Sequence, residues 1–183
     1  LGFDFTEADN ERLKGVSRID SLEILLEIGN KHFDEEIKKS LANKKNSWYV
    51  EYISKMTEKE ILPGVREFLT LLRKSGIKIA LGSVSKNSMK ILDSINLASY
   101  FHVIIDGTKI SKAKPDPEVF LKAAKELNVE PKNCIVFEDA AAGIEGAINA
   151  GMYSIGVGSP QILHRANKVI SSFVNKDLLL LEL

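Results

Sequence analysis

Three short polar segments, each following an apolar run, carry the side chains best suited to chemistry. The first is Leu81-Gly82-Ser83-Val84-Ser85-Lys86-Asn87. A hydroxyl at a strand end, beside backbone N–H groups that open a helix, can cradle phosphate oxygens. The plainer alternative is a serine-rich turn with Asn87 as a helix cap. The second is Lys112-Ala113-Lys114-Pro115-Asp116-Pro117. A rigid proline turn roots the Lys114 ammonium where it can reach an anion, the alternative being a solvated lysine. The third, Phe137-Glu138-Asp139, ends the apolar run from Cys134. Two carboxylates at the end of a buried strand are costly unless paired or metal-bound. Their hard oxygens suit Mg²⁺, which keeps water or phosphate oxygens in its other positions; otherwise Asp139 caps the following helix. A hydroxyl, an ammonium and a carboxylate pair from successive units together describe a magnesium–phosphate site.

Such groups meet only if the intervening elements bring the strand ends together. Short apolar runs at Ile77–Leu81, Val103–Ile105, Cys134–Phe137 and Tyr153–Val157, with a weaker one at Val169-Ile170, alternate with helical patterns. The helices are expected over Val65–Lys74, Asn87–Ile95, Asp116–Leu127 and Ala141–Ala150, with Asp116 as N-cap, Pro117 at N1 and a last helix ending in the leucines before the C-terminus. That alternation means parallel βα units, whose ligands gather at the carboxyl ends of the strands. The first sixty residues differ. They read as helices over Ser21–Asn30 and from the N-cap Asp34 onward, where Ile37, Leu41, Trp48, Tyr52 and Met56 form an apolar stripe. Leu62-Pro63-Gly64 punctuates the chain and marks a hinge.

Composition narrows the possibilities. The 183 residues balance 25 basic against 25 acidic side chains, leaving no surplus cation to displace counterions from a nucleic acid. One cysteine, Cys134, excludes an intrachain disulfide framework and reads as core. No apolar run approaches the roughly 18 residues of a membrane span, and the opening residues carry no signal-peptide pattern, so the expected setting is cytoplasmic with no membrane partner. Gly156-x-Gly158 lacks a third spaced glycine and a following helix, so it is a poor dinucleotide motif. His32, His102 and His164 are scattered and receive no role. Oligomeric state is not legible.

Ser83, Lys114 in Lys114-Pro115-Asp116-Pro117, and Glu138-Asp139 resemble the second, third and fourth motifs of the haloacid dehalogenase superfamily. Within it, Leu13-Lys14-Gly15-Val16-Ser17-Arg18 followed by Asp20-Ser21-Leu22 resembles the cap signature of the β-phosphoglucomutase group. Lys45-Asn46, Ser83-Val84-Ser85-Lys86-Asn87 and Ile155-Gly156-Val157-Gly158 fit the same group. The resemblance implies a Rossmann-like, doubly wound α/β core over residues 61–183 and a partial helical cap over residues 1–60. It implies interconversion of β-glucose 1-phosphate and glucose 6-phosphate through a bisphosphate and a phospho-aspartate. In that scheme Ser83 and Lys114 neutralise the transferring phosphoryl group, and Glu138 and Asp139 help hold Mg²⁺. Arg18 grips the distal phosphate with its planar fork; its bland alternative is an ion pair with Asp20 or Glu23. Lys14, Gly15, Val16 and Ser17 complete the cap contact. Lys45 and Asn46 face the sugar, and Val84, Ser85, Lys86 and Asn87 the phosphate or sugar nearby.

The resemblance also implies an Asp-x-Asp pair, nucleophile and acid/base, at the end of a first core strand. No Asp-x-Asp occurs in the 183 residues, and Asp4 and Asp9 lie in polar surroundings. The expectation is therefore a fragment lacking that strand, without mutase turnover. Two rivals remain: a sugar-phosphate phosphatase of the same superfamily, and a non-catalytic sugar-phosphate binder.

Overall fold

The structure is a computed structural model that describes residues 1–182. Three helices come first: α1 (Glu7–Glu11), α2 (Arg18–Ile28) and α3 (Glu35–Ile53). The βα alternation follows as α4 (Val65–Lys74), β1 (Ala80–Gly82), α5 (Ser88–Ser94), β2 (Val103–Ile105), α6 (Glu118–Leu127), β3 (Ile135–Glu138), α7 (Ala141–Asn149), β4 (Tyr153–Val157) and β5 (Lys168–Ile170).

All strand pairs are parallel, as expected, but they form two sheets in place of one: β1-β2 and β3-β4-β5. β1 and β3 are not hydrogen-bonded to each other, and no strand stands between them among the described residues. Two cores nevertheless run across both sheets. Leu81, Ile104, Ile135 and Phe137 face the cluster built on Phe68, Leu72, Leu92 and Ile155, beneath α4 and α5. Their neighbours Ala80, Val103, Ile105 and Val136 face the opposite cluster with Val119, Phe120 and Ala147, beneath α6 and α7. Side chains along a strand alternate between faces, so the strands lie in one layer with helices on both sides: a doubly wound arrangement.

Several elements depart from expectation. β1 is only Ala80–Gly82, because Ile77 to Ile79 find no ladder and Ile79 N–H donates instead to His102 Nδ1 at 3.0 Å. Pro117 stands at the N-cap of α6, one position earlier than expected, while the Asp116 carboxylate still accepts from Glu118 N–H at 3.0 Å. The C-terminal leucines form a four-residue 3₁₀ helix, Leu178–Leu181, in place of a longer α-helix.

The α3 stripe is the largest difference. Trp48 and Tyr52 are 62% and 67% exposed and Ile37 is also exposed, while the buried positions are Ala42 and Ile53. Helix α3 touches α2 through a narrow seam, where Ala42 joins Leu22 and Leu26 with Phe33 and Leu41 alongside. A small residue in that seam lets the helices approach closely, so the larger side chains turn outward. Helix α1 had no expectation at all. Its Thr6–Asp9 capping box holds the first turn together, with Thr6 N–H donating to Asp9 Oδ2 at 2.9 Å. The Thr6 hydroxyl and backbone N–H keep the Asp9 carboxyl below its ordinary range. No helix among the described residues is long and apolar enough to cross a membrane.

Candidate functional site

The segments after β1 and β2 meet the N-terminal helices around a cavity of about 680 Å³. From the loop before α2 and its first turn come Gly15, Val16, Ser17, Arg18 and Ser21; from α3 come Lys45, Asn46 and Tyr49. The loop after β1 contributes Val84 to Asn87, and the loop after β2 contributes Gly107 and Ile110 to Ala113. Most of the residues singled out in the sequence therefore converge on one space.

The local chemistry explains the arrangement. Ser17 caps α2, its hydroxyl accepting from Asp20 N–H at 3.2 Å and donating to Asp20 Oδ2 at 2.6 Å. That occupies Asp20, and Glu23 pairs with Lys38 at 2.9 Å. Neither acid takes Arg18, which forms no ion pair among the described residues. Gly15 sits at φ +74°, a left-handed conformation open to glycine. Its α-carbon faces Ala140 and Ala142 at the start of α7, which brings the cap-like loop against the segment that follows Glu138-Asp139.

The loop after β1 folds on itself. Ser85 N–H donates to Ser83 Oγ and Asn87 N–H to Ser85 Oγ, both at 3.1 Å. Two N–H groups expected to cradle phosphate are thus spent within the loop, and Asn87 at the N-cap of α5 makes no side-chain cap bond. The Asn87 amide instead reaches across the cavity, donating through Nδ2 to Asn46 Oδ1 on α3 at 3.2 Å.

Lys114 is not the solvated lysine of the plain alternative. It is buried, donates to Gly82 O at 3.2 Å, and pairs with Glu138, which is equally buried. The carboxyl ends of β1 and β3 are therefore joined by one ammonium, and Ser83 follows directly on Gly82. Lys114 Nζ also lies 4.9 Å from the centre of the Phe120 ring. The other Glu138 oxygen, Oε2, accepts from Asp139 N–H at 3.1 Å and Ala140 N–H at 3.3 Å. Gly143 is what leaves room for this carboxylate, since a Cβ there would overlap it. Asp139 is exposed, and Ala140, not Asp139, is the N-cap of α7. The capping alternative for Asp139 is thereby overturned.

Five expected site residues do not line the cavity. Ser83, Lys114, Glu138 and Asp139 stand outside its lining, and Lys14 turns away to pair with Glu11 at 2.8 Å. Sequence reasoning missed Tyr49, Gly107, Ile110 and Ser111, the last two opening the loop that Lys112 and Ala113 continue. Glu118 organises that loop: its Oε2 accepts from Ser111 N–H at 2.9 Å and Lys112 N–H at 2.8 Å. The Lys122 ammonium and these N–H donors pull the Glu118 carboxyl down to about 2. A glutamate in the first turn of α6 was a visible signal for such a loop anchor. Tyr49 carried no signal, being one aromatic among several on α3.

Glu138 and Asp139 place two adjacent carboxylates at the end of β3, and no cluster of three metal-ligating side chains occurs among the described residues. Three donors occupy Glu138 and leave one lone-pair direction on Oε1, while Asp139 is open to solvent, a donor set for an ion that takes one or two carboxylates and completes its shell with water and ligand oxygens.

A family model described as haloacid dehalogenase-like hydrolase matches residues 2–151. The chain is 44% identical over 164 residues to the β-phosphoglucomutase of Bacillus subtilis, covering 88% of this chain and 72% of that one. It is 36% identical over 159 residues to a phosphorylated carbohydrates phosphatase of Thermotoga maritima, covering 84% of this chain and 70% of the relative. The crystal structure of the Clostridium difficile β-phosphoglucomutase superposes with a TM-score of 0.92 at 42% identity, over 99% of this chain and 82% of that one.

Proposed function

The chain belongs to the haloacid dehalogenase-like hydrolase family, and from that premise we propose that it binds a phosphorylated hexose for β-phosphoglucomutase-type phosphoryl transfer between β-glucose 1-phosphate and glucose 6-phosphate. In this reading residues 1–60 are the cap and residues 61–183 the core, Leu183 lying outside the described residues. The observation that carries it is the cavity itself, where Arg18 and Lys45 face the loop Val84–Asn87 beside a buried Lys114–Glu138 pair.

Arg18 presents a planar fork without a protein carboxylate, suited to two phosphate oxygens at once. Lys45 adds a second cation on the same wall, and Asn46 and Asn87 offer amides that match sugar hydroxyls. Glu138 holds the Lys114 ammonium at the strand ends, where Ser83 supplies a hydroxyl. Glu138 and Asp139 would hold Mg²⁺, which when bound neutralises the oxygens of the transferring phosphoryl group. Positioning and fixed charge are the expected sources of catalysis in this chemistry. Because no Asp-x-Asp nucleophile pair occurs in the sequence, the chain by itself is expected to bind without turnover. The setting is taken as cytoplasmic.

Isothermal titration with glucose 6-phosphate, with and without Mg²⁺, tests this beside assays of isomerisation and phosphate release. Magnesium-enhanced binding that Arg18→Ala weakens at least tenfold is the expected result. Absence of binding, or turnover by this chain alone, overturns it. The 36% identical carbohydrate phosphatase favours a second reading, and release of phosphate from glucose 6-phosphate would put that reading in its place.

A further inference from the structure

We propose that Tyr49 is a further positioning residue of the cavity, its ring selecting a sugar-bearing phosphate over phosphate alone; this rests on the sugar-phosphate reading above. Lys45, Asn46 and Tyr49 come from one stretch of α3, and Asn46 and Tyr49, three residues apart, share a helix face. That face is the one crossing to the core, because Asn46 accepts from Asn87 at 3.2 Å. The other aromatics of α3 point elsewhere. Trp48 is 62% exposed with the Lys44 ammonium 5.2 Å from its ring centre, and Tyr52 is 67% exposed. Neither lines the cavity.

Tyr49 faces Ser85, the residue whose hydroxyl takes Asn87 N–H and whose carbonyl takes Gly107 N–H at 3.1 Å. Tyr49 is 41% exposed, and its partial burial raises the phenol above its ordinary range, with the Ser85 hydroxyl pulling the other way. The hydroxyl end thus stands at the core loop while the ring forms part of the wall. The polar groups of the wall are Arg18, Lys45, Asn46, Lys86 and Asn87, set among the aliphatic Leu13, Val16, Ile19, Val84 and Ile110. Those groups recognise oxygens, and a free phosphate satisfies the cations as well as a sugar phosphate does. Tyr49 is the one aromatic among the lining residues, and its rigid plane offers the C–H face of a hexose ring a flat stacking surface that the branched aliphatic side chains do not, at small entropic cost.

The test is titration of wild-type, Tyr49→Ala and Tyr49→Phe with glucose 6-phosphate and, separately, with inorganic phosphate, each with Mg²⁺. Trp48, the single tryptophan and Tyr49's neighbour, gives a fluorescence readout independent of heat. The expected result is a five- to twentyfold loss of glucose 6-phosphate affinity in Tyr49→Ala. Phosphate affinity stays within twofold, and Tyr49→Phe returns the sugar preference to within threefold of wild-type. Wild-type discrimination that survives in Tyr49→Ala overturns this role and leaves the sugar-phosphate reading standing. So does a parallel loss for both ligands, or a Tyr49→Phe variant as weak as Tyr49→Ala, since either means structural support or a hydroxyl contact. A wild-type chain that binds phosphate and gains nothing from the sugar overturns both readings.

Discussion

Replacing Lys114 by methionine isolates the charge that joins the two sheets. Lys114 and Glu138 are each 8% exposed, so the substitution leaves a carboxylate in a dry site without its cation. Removing one partner of a buried pair costs about 3–5 kcal/mol. The Asp139 and Ala140 N–H groups at 3.1 and 3.3 Å still solvate Glu138 and favour the lower end of that range. Methionine keeps a side chain of similar length, while the ammonium's place over the Phe120 ring and its bond to Gly82 O at 3.2 Å are lost, the bond adding about 1 kcal/mol. The sum is about 3–4 kcal/mol, a large part of the 5–15 kcal/mol typical of a domain. With a urea slope of about 1–3 kcal/mol/M, the midpoint falls by about 1 M or more in metal-free buffer at neutral pH. Glu138→Gln added to Lys114→Met removes the stranded charge and keeps an acceptor for both N–H groups. The double variant should recover about 2 kcal/mol relative to Lys114→Met. A Lys114→Met midpoint within about 0.3 M of wild-type, or a double variant no more stable than the single one, would refute the argument that this ammonium joins β1 and β3.

Gly143→Ala should act on the same carboxylate from the other side. The added Cβ overlaps Glu138, so the side chain or α7 must move, at about 1–3 kcal/mol. Thermal melting reads that loss, and glucose 6-phosphate affinity should fall with it. Glu118 provides a pH signature. Its folded pKa, about 2, lies below the ordinary 4.5, so its contribution is complete above pH 4.5 and disappears as pH falls through about 2. Glu118→Gln should therefore lower Tm at pH 7, with the gap from wild-type closing as the pH drops below about 4.5. A gap constant between pH 7 and pH 2 would contradict the assignment.

How much was legible depended on whether the information was local. The helix ends expected at Lys74 and Ala150 were met, with Gly76 and Gly151 at positive φ just beyond α4 and α7, because a chain reversal after a helix is a local steric matter. Asp34 caps α3 for the same reason, accepting from Ile37 N–H at 2.8 Å. The resemblance to a known family likewise grouped Gly15 to Arg18, Lys45, Asn46 and Val84 to Asn87 as one constellation. The α3 stripe was misread because periodicity identifies a helix face without saying whether another element covers it. Tyr49 was hidden for the same reason, indistinguishable in type and spacing from Trp48 and Tyr52.

The sequence by itself determined the order of the elements, their parallel βα character and the residue types able to hold a phosphate. These follow from backbone sterics, side-chain periodicity and the chemistry of single groups. Only the tertiary structure decided that Lys114 spends its charge on Glu138, that Asn46 meets Asn87 across the cavity and that the strands form two sheets sharing two cores. Each of these depends on distances between residues tens of positions apart, and burial, which sets the strength of such contacts, is a property of the packed whole.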